Sequence, residues 1–304
     1  MTPCNVLSDY DQLRDITLEV SKKIASMHNY LTENPEETGT LEIEARLGRY
    51  KPNGEFSCNV GHDTFVAILA LLESFPRWNR TLQWSETHDV FYSMDAPSPL
   101  RGNVGTGKTA RVQVRSSVGA DPEHPDKLSI RHVSKRKLWC VGMEPASMDT
   151  GSCSITLCCR PNLACNFDAR ICASIEHSIP EDLLPVAVTP ELVRIKQRRS
   201  FRLASLGVEP DAFSFDLSIV YSGKTKSEAE QKQANNWEPS FEVEVECLCP
   251  RDYLKSCAGE DTYLALSLVL KIHDFLVALN PQQAVTFVPR HQEPVLRGAR
   301  PAEP

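Results

Sequence analysis

Polar and apolar residues alternate with period two in several segments, and in three of them the polar set is charged. In LEIEARLG, Glu42, Glu44 and Arg46 alternate with Leu41, Ile43, Ala45 and Leu47. In FEVEVEC, Glu242, Glu244 and Glu246 alternate with Phe241, Val243, Val245 and Cys247. In VRIKQRRSF, Arg194, Lys196 and Arg198 alternate with Val193 and Ile195. Period two sends each set to one face of a strand. Further strand patterns lie at about 82–93, 110–116, 128–139, 153–158, 169–178 and 212–221. Helical spacing of Leu13, Ile16, Val20, Ile24 and Met27 predicts a helix over about 10–31, capped by Ser8 or Asp9. A second helix is predicted over 63–74, ended by Pro76, and a third over about 261–279, capped by Asp261 or Thr262. The polar stretch KTKSEAEQKQANN reads as a long loop or a short exposed helix, and a turn is expected from Pro250 and Arg251 toward Cys257.

Many strands with helices at both ends imply an α+β fold built on a large antiparallel sheet. Its charged faces sharpen the expectation. If the apolar faces pack outward on helices, the charged faces must line an interior, and a closed barrel with a polar lumen meets both demands. Residues 1–280 form one domain in this reading, and 281–304, rich in prolines and charges without periodicity, form a flexible tail.

Composition adds limits. The chain has 304 residues, a net charge of −7 and 41% hydrophobic residues, enough for a sizeable core but without a basic run that would track nucleic acid along its length. The eleven cysteines show no CxxC pair, so neither a zinc knuckle nor a disulfide framework is expected; Cys172 and Cys247 read as small buried residues. A reducing compartment, cytosol or nucleus, follows. The N-terminus is polar and acidic, which predicts no signal peptide, and the apolar stretch at 263–279 is too polar to span a bilayer.

Carboxylates at i and i+2 of a strand lie about 7 Å apart and repel by about 2.4 kcal/mol at an effective dielectric near 20. Five glutamates in one lumen therefore call for cations, and all-oxygen donors suit Mg²⁺ or Mn²⁺. Arg194, Lys196 and Arg198 form a ladder of donors for consecutive phosphates, with Arg111, Gln113 and Arg115 as a shorter second set. Asp216 with Ser218, and Arg170 with Ser174 and Glu176, occupy polar faces of their own strands. Salt bridges on a solvated sheet face are the plain alternative. The segment GNVGTGKT at 102–109 fits the P-loop pattern, but it follows DAPSPLR and precedes the strand pattern ARVQVRSS. A P-loop needs a buried strand before it and a helix after it, so a hairpin loop is expected. His88, His132 and His177 show no ligand spacing and are expected to be structural.

The segments EIEARLG (42–48), IRHVS (130–134), FDARICASIEHSIP (167–180), RIKQRRSF (194–201), FDLS (215–218) and FEVEVEC (241–247) together resemble the metal-dependent RNA 5′-triphosphatases of fungi and protozoa, members of the triphosphate tunnel metalloenzyme superfamily. The resemblance implies a closed eight-stranded tunnel packed outside by helices. It implies that Glu42, Glu44 and Glu246 ligate Mg²⁺ or Mn²⁺, and that Glu176 and Glu244 position the attacking water. Arg194, Lys196, Arg198 and either Arg115 or Arg111 would contact phosphate, with Arg46, Arg131, Arg170, Asp216 and Glu242 as supporting tunnel residues. The implied activity is hydrolysis of the γ-phosphate from the 5′-triphosphate end of nascent RNA, the first step of mRNA capping, with NTP hydrolysis in Mn²⁺ as a side activity. A nuclear location and an RNA guanylyltransferase partner go with that role. The long N-terminal extension of fungal members is not seen, so a monomer is expected ahead of a dimer. Alternatives are a tunnel enzyme acting on inorganic or small organic triphosphates, a P-loop NTPase, or a non-catalytic module that binds RNA ends.

Overall fold

Strand β1 (Thr40–Tyr50) buries Leu41, Ile43, Ala45 and Leu47 on one side and turns Glu42, Glu44 and Arg46 to the other. That division repeats around the molecule and builds it. The computed structural model describes residues 6–78, 80–95, 111–120, 128–145, 167–184, 189–205, 208–248, 261–279 and 287–290. After β1 come β2 (Phe56–Ser57), β3 (Arg80–Thr81), β4 (Ser85–Asp95), β5 (Arg111–Ala120), β6 (Leu128–Pro145) and β7 (Asp168–Ser178). The later strands are β8 (Leu192–Ser205), β9 (Val208–Gly223), β10 (Ser240–Cys247) and β11 (Phe287–Arg290). Going round the wall, the order is β1, β10, β9, β8, β4, β5, β6, β7 and back to β1, antiparallel throughout. Eight strands thus close on themselves, which removes the free edges of an open sheet. The barrel is a closed tunnel.

The outward faces pack on helices α1 (Val6–Glu33), α2 (His62–Ser74) and α4 (Asp261–Leu279). On α1, Leu13, Ile16, Val20, Ile24 and Met27 are buried, as their spacing predicts, and on α4 the buried set is Leu264, Ala265, Leu268, Val269, Ile272 and Phe275. These side chains share one core with Leu41, Ile43, Ile171, Ile175, Phe215, Leu217, Val243 and Val245 from the outer wall. A hydrogen bond of 3.1 Å between the Ser21 and Thr262 hydroxyls ties α1 to α4. Helix α2 is capped at Phe75, whose N–H donates to the Leu72 carbonyl at 3.2 Å, and the Trp78 indole donates to the same carbonyl at 2.6 Å. The polar stretch after β9 contains a short helix, α3 (Lys226–Ala234). Thr225 caps it by accepting from the Glu228 N–H, and the Glu228 carboxylate accepts from the Lys224 N–H.

Part of the expected tail is structured: β11 pairs with 142–145 of β6. The β5 ladder ends at Ser134 while β6 runs on to Pro145, leaving backbone groups on that side for another strand. The expected strand at 153–158, the turn at 250–257 and the loop 102–109 lie outside the described residues. What the structure does show of the loop's context is strand β5 after it, paired antiparallel with β4, rather than a helix.

Candidate functional site: the charged lumen

Register fixes which side chains share the lumen, because residues directly opposite one another on paired strands point to the same face. Glu44 lies opposite Glu246, and Arg46 opposite Glu244, at the β1–β10 seam. Across β10 and β9, Glu244 faces Asp216 and Glu242 faces Ser218. Across β9 and β8, Ser218 faces Arg198 and Asp216 faces Ser200. On the other side of β1, Glu42 faces Ser174, Arg46 faces Arg170 and Thr40 faces Glu176. The charged residues expected from β1, β7, β8, β9 and β10 therefore converge on one interior.

The ion pairs are specific. Arg198 donates through Nη1 to Asp216 and through Nη2 to Glu244, each at 2.8 Å, and through Nε to Ser218 Oγ at 3.3 Å. Arg46 donates to Glu44 at 2.9 Å, and its Nη2 also lies 3.1 Å from Glu244, close enough for charge pairing though not aligned as a hydrogen bond. Arg194 donates to Glu242 at 2.6 Å, and Arg115 reaches Glu176 at 2.8 Å. Arg170 instead lays its guanidinium 4.5 Å from the centre of the Phe56 ring. Arg131 takes the lumen phase opposite Ser117 but is exposed. Only the backbone of Arg111 is described, so of the two arginines on β5 it is Arg115 that is seen on a lumen carboxylate. Arg199 points outward, to Glu73 on α2.

These contacts set protonation. Burial alone would raise the Glu244 carboxyl, but Arg46, Lys196 and Arg198 outweigh it and hold Glu244 well below the usual range. Glu44 is lowered too: burial opposes this, and Arg46 and Lys135 overcome it. Glu246 goes the other way, pushed up to about 8 by burial and by the Asp216 and Glu42 carboxylates. Glu176 is raised, first by burial and then, against the pull of Arg115, by Glu42. Lys196, buried beside Arg198, is lowered to about 8. The lumen thus contains a carboxyl pushed upward, Glu246, and an amine that can lose its proton near neutrality, Lys196.

Lys135 and Asp89 escaped the sequence reading, and Cys172 was read differently from what the structure shows. Lys135 on β6 ion-pairs with Glu42 at 2.5 Å and Glu44 at 3.5 Å. Its alternation with Arg131, Val133 and Lys137 in the sequence was the available signal. Asp89 on β4 is buried, lies opposite Arg194 and accepts from Ser117 Oγ at 2.5 Å; as a lone acid in THDVFYS it carried no signal. The third departure is Cys172, which is disulfide-bonded to Cys140 rather than a free buried thiol. The pairing depends on the β6–β7 register, which cysteine spacing does not reveal. Of the three histidines expected to be structural, His132 Nδ1 bonds Ser116 Oγ at 2.8 Å, His88 bonds Glu86 at 3.0 Å and His177 lies 3.5 Å from Glu37.

Glu42, Glu44 and Glu246 fit a hard divalent cation by chemistry. They are clustered on adjacent strands, all their donors are oxygen, and burial together with the Asp216 and Glu42 carboxylates pushes the Glu246 carboxyl up, against the pull of Arg198. Among the described residues no three such side chains converge on a single point, and Glu42 and Glu44 are turned onto Lys135. A cation there would compete with the lysine ammonium.

No protein-family model and no curated protein matches the sequence. Similar chain paths occur among solved structures. The S. pombe RNA triphosphatase Pct1 is 17% identical, with a TM-score of 0.48 over 86% of this chain and 93% of that one. The same protein in complex with the Spt5 CTD is 18% identical, with a TM-score of 0.45 over 83% and 91%. The RNA triphosphatase domain of a trifunctional mimivirus mRNA capping enzyme is 14% identical, with a TM-score of 0.39 over 80% and 97%. What the lumen can do follows from its own side chains.

Proposed function

We propose that this protein is a divalent-metal-dependent RNA 5′-triphosphatase that removes the γ-phosphate from the 5′-triphosphate end of nascent RNA. The observation that carries the proposal is the closed lumen, in which the basic stripe of β8 and Arg115 meet the acidic stripes of β1 and β10. Phosphoryl transfer asks for positioning and charge neutralisation more than for covalent chemistry, and such a lumen supplies both. Arg194, Lys196 and Arg198 are fixed donors for the equatorial phosphate oxygens. Arg115 can leave Glu176 for phosphate, and the freed Glu176, its carboxyl already raised, orients the attacking water and accepts its proton. Glu244 stays locked on Arg46 and Arg198 and keeps the basic ladder in place. Held by Glu42, Glu44 and Glu246, Mg²⁺ or Mn²⁺ would polarise the γ-phosphate and offset its charge.

A closed wall admits a chain end and excludes internal phosphodiesters, so the net negative charge of the chain is no obstacle to an RNA substrate. The product, a diphosphate end, suits guanylylation, which makes an RNA guanylyltransferase the natural partner and the nucleus the place of action. Comparing rates on triphosphate-ended RNA, NTP and tripolyphosphate tests the reading. RNA should be preferred in Mg²⁺; equal or faster turnover of tripolyphosphate would reassign the enzyme to small triphosphates.

A further inference from the structure

The Cys140–Cys172 bond lies inside the tunnel. Cys172 is directly opposite Glu44 on β1, and Glu44 points into the lumen, so the sulfurs sit in the wall beside a candidate metal ligand. On β6, Lys135 and Lys137 take the lumen phase opposite Glu176 and Ser174. The register then shifts between Lys137 and Trp139. Leu138 and Trp139 both pack on the outer core, and Cys140 becomes the next residue opposite a lumen position. A bulge of this kind leaves one residue of β6 unpaired and disrupts the ladder locally. The sulfur bridge pins β6 to β7 immediately past it, with the two Cα atoms 4.1 Å apart. Upstream of the same bulge stands Lys135, whose ammonium occupies Glu42 and Glu44.

We propose that Cys140 and Cys172 form a reversible dithiol–disulfide site in the lumen wall, and that its closed form holds Lys135 on Glu42 and Glu44 and so weakens cation binding there. The coupling to a cation rests on the function proposed above; the cross-link does not. Opening consumes two equivalents of a small thiol: the Cys140–Cys172 bond breaks, the two cysteines gain two electrons and two protons, and the reductant leaves as its own disulfide.

The test uses the full chain in three forms: oxidised, reduced with dithiothreitol that is then removed anaerobically, and the Cys140→Ser/Cys172→Ser variant. Mn²⁺ affinity and amide hydrogen exchange are read on each. Reduced and variant protein should bind Mn²⁺ at least about five-fold more tightly than the oxidised form, about 1 kcal/mol, and should exchange faster around 137–142. Equal exchange in all three forms would overturn the switch whatever Mn²⁺ does. Faster exchange with equal Mn²⁺ affinity would overturn its coupling to the carboxylates. Absence of Mn²⁺ binding in every form would overturn the metal assignment, and the coupling with it, while leaving a distinct exchange signature.

Discussion

Glu246 and Lys196 are the two lumen groups whose protonation is most displaced toward neutrality, and each gives a signed prediction. The unfolded chain ionises Glu246 near 4.5, whereas the folded lumen keeps its proton up to about 8. Folding therefore takes up a proton at Glu246, and its contribution to stability falls as pH rises from 4.5 to 8. Glu246→Gln should raise the metal-free melting temperature at pH 8 by about 2–4 °C, the shift that about 1 kcal/mol gives in a domain of this size class. The difference should vanish near pH 4 in a thermal melt; a lower Tm for the variant at pH 8 would contradict the charge account. Lys196 is charged below about 8 and neutral above it. The kcat/KM for triphosphate hydrolysis should fall above about pH 8, since that parameter reports the free enzyme. Lys196→Arg keeps its charge throughout that range and should flatten the alkaline limb, and an unchanged limb would remove Lys196 from phosphate binding.

At the scale of a strand, phase decides function. Arg198 and Arg199 are neighbours on β8, yet one bonds Asp216 and Glu244 in the lumen and the other meets Glu73 on the outer helix. Arg198→Ala should lower turnover at least about 100-fold, the loss of about 2.7 kcal/mol expected for a preorganised donor. Arg199→Ala should stay within about three-fold of wild type and cost at most about 1 kcal/mol in urea unfolding, as exposed pairs do. Equal losses of turnover would mean that β8 has the opposite phase. This phase was legible in the sequence because β1 and β10 alternate without interruption through the site, and in β8 Val193 and Ile195 set it ahead of the polar run 197–200. Lys135 could have been read the same way from Arg131, but Cys140 could not, since the bulge at Leu138 breaks the alternation and exchanges the two faces beyond it. Strands β2 and β3, two residues each, exist only because neighbours pair with them, at Arg49–Tyr50 and at Phe201–Arg202, and leave no periodic trace.

For the molecule as a whole, closure turns charged strand faces into a compartment. An open sheet would bathe Glu42, Glu44 and Glu246 in solvent and screen them; the barrel brings them to a seam facing Arg198 and Lys196, where desolvation strengthens every pairing. The central claim is that this lumen, and not the P-loop-like segment at 102–109, carries the chemistry. Release of γ-phosphate from labelled triphosphate-ended RNA in Mg²⁺, measured side by side for wild type, Glu44→Ala and Lys108→Ala, tests it most directly. The lumen account predicts that Glu44→Ala loses at least about 100-fold while remaining folded, that excess EDTA abolishes the wild-type rate, and that Lys108→Ala keeps most of it. Near-normal turnover in Glu44→Ala, or a loss in Lys108→Ala as deep as that expected for the glutamate, would contradict the account.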